Sequence, residues 1–132
     1  MTTATAMATD TYFRAQVESA SPLQRVVMLY DGAVSFLEDA ARQMDLRDYE
    51  GAPLLNIRAQ NIIMELQGVL NMREGGELAQ RLHTLYAYFL RRLITANTKR
   101  DAGMLLEVAE RMKEMRESWA TLADGSNETE GN

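Results

Sequence analysis

The feature that most constrains this chain is its apolar spacing. Between about residues 22 and 122 apolar side chains recur every three or four positions, and period-two alternation of β-branched residues is absent. Only two prolines occur, Pro22 and Pro53. A chain so patterned can bury its apolar residues only by packing helices together.

The stretch "ASPLQRVVMLYDG" at 20–32 shows where the first helix begins. Ser21 suits an N-cap, because its hydroxyl accepts from an otherwise unpaired N–H. Pro22 falls at N1, where its missing N–H costs nothing. Gln24 falls at N3 and completes a capping box. The expected helices run from about Pro22 to Asp45, Ala52 to Met72, Glu77 to Thr98, and from the "TKRD" turn to Leu122. Gly75 and Gly76 supply the reversal between the second and third. Asp101 is placed to cap the fourth. Short loops make neighbouring helices antiparallel. The expected fold is therefore all-α, an antiparallel up-down four-helix bundle. A short N-terminal helical cap segment (11–19) carries Tyr12, Phe13 and Val17. Residues 1–10 and the acidic tail 123–132 are read as disordered flanks of a single domain, 11–122.

Function classes fall away by chemistry. The chain has 132 residues, a net charge of −5, one histidine and no cysteine. An acidic chain lacks the basic face that nucleic acid requires. No apolar run reaches the ~20 residues needed to cross a bilayer, so no membrane insertion is expected. The N-terminus has no basic start or apolar core of a secretory signal. One histidine cannot furnish the paired Glu-x-x-His ligands of a di-metal bundle. His83 reads as a surface residue, and Glu107 with Arg111 as an i, i+4 pair on a charged face. No enzyme activity, metal or cofactor is expected.

The apolar faces are wider than a bundle core alone explains. The first helix has a main stripe from Leu23 to Met44 and a second row of Leu29, Ala33, Phe36 and Ala40. The third adds Ala79, Tyr86 and Leu90 beside its stripe. The second places Ile57 and Met64 almost opposite its own. A contiguous exposed apolar patch marks an interaction site, and a helix laid in an apolar groove is its natural ligand. The candidate partner-binding residues are Tyr12, Val17, Leu29, Ala33, Phe36, Ile57, Met64, Tyr86 and Leu90. The alternative is a structural helical protein that buries this surface by self-association.

Several motifs resemble the FliS family of flagellar secretion chaperones. They are "ASP" at 20–22, "MLYDGA" at 28–33, "DYEGA" at 48–52, "RAQNIIMEL" at 58–66, "GGELAQRLHTLYAYFLRRLITAN" at 75–97 and "LLEVAERMKEMRESW" at 105–119. Tyr12 and Val17 fit the same pattern. The resemblance implies a cytoplasmic helical bundle without enzymatic activity. It implies binding of the C-terminal region of flagellin, protection from early polymerisation, and delivery to a component of the flagellar type III export gate.

Overall fold

The structure, a computed structural model, describes residues 11, 14, 15 and 19–131. Four helices follow one another: α1 Pro22–Asp45, α2 Gly51–Gly68, α3 Gly76–Lys99 and α4 Ala102–Gly131. Each packs on the next, and α4 packs back on α1. Every neighbouring pair is antiparallel. Asp31 meets Arg116 and Glu38 meets Lys113 across α1 and α4. Gly32 meets Ile62 and Phe36 meets Arg58 across α1 and α2. Asn56 meets Leu93 and Gln67 meets His83 across α2 and α3. Arg92 meets Glu107 across α3 and α4. This is the expected up-down bundle.

Local chemistry explains the boundaries. The Gln24 amide donates to Ser21 Oγ at 3.2 Å, and the Ser21 amide donates to Gln24 Oε1 at 2.9 Å. This completed capping box starts α1, with Pro22 in the first turn. Asp48 Oδ1 accepts from the Gly51 amide at 2.9 Å and supports the otherwise poor opening of α2. Asp101 Oδ1 accepts from the Met104 amide at 3.2 Å and caps α4 as expected.

The second helix ends earlier than its spacing suggested, at Gly68 rather than Met72. Val69 therefore lies beyond the helix and is 60% exposed. The loop then turns at Asn71, whose carbonyl accepts from the Gly75 amide at 2.7 Å. A Cβ at Gly75 would stand 2.5 Å from that carbonyl oxygen, and Gly76 has φ +55°. Both positions require glycine. At the other end of the chain the helix continues through Gly131 instead of fraying at 123, and Ala123 is buried. No proline stops it, and extending an existing helix is far easier than nucleating one. Of the 11–19 segment, Thr11, Arg14, Ala15 and Ser19 are described, with helical backbone.

The core joins Tyr30, Leu37, Ile63, Leu66, Phe89, Leu93, Leu105 and Met112, all essentially inaccessible. Among the described residues one amide side chain enters it. Asn56 is fully buried and donates from Nδ2 to the Leu93 carbonyl at 2.9 Å and to Asn97 Oδ1 at 2.8 Å. Its Oδ1 accepts from Gln60 at 3.0 Å. These bonds offset the desolvation of the amide and fix the register of α2 on α3. Gly32 brings α1 close to α2, since a Cβ there would lie 3.3 Å from Ile62 Cδ1.

Candidate partner-binding surface

The wide apolar arc of α1 divides once the neighbours are in place. Ala33 and Ala40 have no accessible surface, because α1 touches both α2 and α4. Tyr86 is 1% exposed. Ala33 and Tyr86 are thus core side chains. Leu90 is half-buried and packs against the core. Leu29 and Phe36 are half-buried at the surface of α1, with the Arg58 guanidinium 5.8 Å above the Phe36 ring. Ile57 and Met64 point outward from α2 at 45% and 48% exposure. Tyr12 and Val17 lie outside the described residues.

Two apolar surfaces result. The first is a groove of about 550 Å³ between the start of α1 and the end of α2, lined by Leu23, Val26, Met28, Leu29 and Val69. It shares Val26 and Val69 with a smaller recess of about 200 Å³ that reaches Leu66, Leu82, Tyr86 and Trp119. The second surface is the outer face of α2, where Leu54 joins Ile57 and Met64. A helix that is apolar on its outer as well as its inner face is the pattern of one covered on both sides. Among the described residues only the inner side of α2 is covered.

Leu54, Met28 and Val69 were not among the sequence candidates for binding. Leu54 had a signal, since it stands three residues before Ile57 on the same outward stripe. Val69 had none, because its exposure follows from the early end of α2.

Beneath the recess lies a polar contact. The Tyr30 and Tyr86 hydroxyls are 2.5 Å apart, and the rings of Tyr30 and Trp119 are 6.5 Å apart. Burial pushes both phenols above their ordinary pKa. At Tyr30, the contacts with Tyr86 and Trp119 oppose that push; at Tyr86, the Tyr30 contact adds to it. Both phenols are therefore neutral at pH 7. Charge elsewhere sits on the rim of the bundle. Asp31 is paired with Arg116 at 2.8 Å and Lys113 with Glu38 at 2.6 Å. Glu107 pairs with Arg92 of α3 rather than with Arg111, because the interhelical partner lies closer. Such exposed pairs contribute little to stability, because solvent screens them. His83 is exposed. Among the described residues no three histidine or carboxylate side chains converge on a metal-sized site. No helix among them is long and apolar enough to cross a membrane.

The described residues thus form an antiparallel helical bundle with apolar side chains on outer faces. The comparisons with known proteins give the class its family. The family described as flagellar protein FliS matches residues 4–126. The flagellar secretion chaperone FliS of Bacillus subtilis (strain 168) is 38% identical over 108 residues, covering 82% of this chain and 80% of that protein. Its namesake from Salmonella typhimurium (strain LT2) is 37% identical, covering 81% and 80%. A crystal structure of a flagellar chaperone from bacteria superposes with a TM-score of 0.74, covering 91% of this chain and 98% of that one. At 13% identity it speaks for the fold alone. The chain belongs to the FliS family of flagellar secretion chaperones, a non-enzymatic family.

Proposed function

We propose that this protein is a cytoplasmic export chaperone that holds the C-terminal segment of flagellin. It keeps that segment from polymerising early and presents it at the flagellar type III export gate. The observation that carries the reading is the pair of exposed apolar surfaces, the α1–α2 groove and the outer face of α2, in a chain of the FliS family.

Physics favours such a partner. A segment that is disordered until bound loses conformational entropy on binding, so a large apolar area must offset the ordering. Coupled folding and binding buries about 1,000–3,000 Å², far more than one recess provides. A partner that wraps from the α1–α2 groove across Ile57 and Met64 meets that need. Met28 and Met64 lie on its path and adapt to uneven contours. Leu29 and Phe36 flank it, and Leu90 stands apart on α3.

Trp119 provides the direct test. It is the sole tryptophan and lines the recess continuous with the groove. Titrating a peptide of the flagellin C-terminal segment should change its fluorescence saturably, while a flagellin N-terminal peptide should not. Equal responses to both would refute the assignment.

A further inference from the structure

Arg58 stands beside the outer apolar face of α2. It follows Ile57 and reaches towards α1, where its guanidinium lies 5.8 Å over the Phe36 ring. The residue is exposed, and among the described residues its guanidinium has no ion pair and no hydrogen bond. The i±3 and i±4 positions that could pair it are Leu54, Leu55, Asn61 and Ile62, none of them acidic. Elsewhere on the bundle Arg42, Arg81, Arg92, Lys113 and Arg116 each meet a carboxylate.

The aromatic contact explains how this cation is held without an acid. A guanidinium over a ring is attracted through its flat face. Its N–H groups spread outward in the plane of the fork. Phe36 therefore keeps Arg58 in place while its donors stay uncommitted. Such a fork matches a carboxylate edge on, with two parallel N–H···O bonds.

We infer that Arg58 is the residue that selects a carboxylate in the cargo segment. The inference rests on the proposed function and names what that surface reads besides apolar area. Leu54, Ile57 and Met64 alone accept any apolar stripe. A fixed cation at their edge rejects a segment that offers no anion, because covering the rim would strip Arg58 of water without replacing its hydrogen bonds. The same contact fixes the register in which the segment lies. Two sources supply this chemistry: the α-carboxylate that ends the flagellin chain, and an aspartate or glutamate side chain within its C-terminal segment.

Isothermal titration of the full chain with synthetic peptides of the flagellin C-terminal segment tests it. The peptides are the free acid, the C-terminal amide, and the free acid with every aspartate and glutamate changed to asparagine and glutamine. Arg58→Gln should weaken binding of the free acid about tenfold, the worth of a charge-assisted hydrogen-bonded pair. Arg58→Lys should leave most of that loss in place, because an ammonium neither stacks as a plane nor forks. The neutralised peptide that lacks the partner carboxylate should bind wild type and Arg58→Gln equally. If that peptide is the amide, the chain end is the source; if it is the one with neutral side chains, the source is internal. Circular dichroism should show unchanged helicity in both variants, since Arg58 is exposed. Free-acid binding that Arg58→Gln leaves unchanged, or a loss that persists in full against both neutralised peptides, would overturn the assignment and leave the proposed function standing. A wild-type chain that binds none of the peptides would overturn both.

Discussion

The Tyr30 hydroxyl on α1 lies 2.5 Å from the Tyr86 hydroxyl on α3, linking two helices that are not neighbours in the ring of four. The Tyr30 ring also lies 6.5 Å from the Trp119 ring of α4. Three helices thus meet under the recess, two through hydroxyls and the third through a ring contact. The Tyr30→Phe substitution strands the Tyr86 hydroxyl and should cost about 1–3 kcal/mol. Tyr86→Phe strands the Tyr30 hydroxyl in turn and should cost a similar amount. The double substitution should cost less than the sum of the two, because the second removal strands nothing. Urea unfolding of the three variants measures this. Strict additivity would mean that the hydroxyl contact contributes no coupling.

The same pair sets an alkaline limit. Both phenols are raised by burial, so the folded state binds their protons more tightly than the unfolded state does. Their contribution is fully present below the ordinary tyrosine pKa of about 10 and declines as pH rises above it. Phenolate absorbance and helicity followed together should show these two tyrosines ionising with unfolding. Full ionisation of every tyrosine in a bundle that stays helical would contradict the buried contact.

Charged replacements should separate surface from core. Ile57→Glu and Met64→Glu sit on exposed positions and should change stability by only about 0.5 kcal/mol, while strongly weakening flagellin binding. Leu93→Glu puts an unpaired charge in the core and should destabilise by roughly 3–5 kcal/mol. Chemical denaturation beside a binding titration reads both effects. Normal flagellin binding by a folded Ile57→Glu/Met64→Glu double variant would remove the outer face of α2 from the site.

Tyr12 and Val17 belong to the segment that leads into Pro22 at the edge of the groove. If that segment competes with the cargo, a chain lacking residues 1–19 should keep its helicity and bind flagellin equally or more tightly. A large fall in helicity or in affinity would instead make the segment part of the bundle or of the site.

The helices were legible because their signals are local. The Ser21, Pro22 and Gln24 start of α1 and the Asp101 cap of α4 each depend on residues within one turn. The binding surface was only partly legible, because exposure depends on which helices become neighbours. Ala33 and Tyr86 share the widened stripes of Leu29 and Leu90, and only packing against two neighbours assigns the first two to the core. Ile57 and Met64 stood out because they oppose a core stripe on the same helix. Val69 was hidden by the helix end at Gly68, where periodicity continues in the sequence after the helix itself has stopped.

The central claim is that this bundle holds the C-terminal segment of flagellin. Isothermal titration of the full-length chain with intact flagellin and with flagellin lacking that segment tests it most directly. Intact flagellin should bind with the negative heat-capacity change of apolar burial, and the truncated protein should lose binding by at least a hundredfold. Equal affinity for the two would contradict the account.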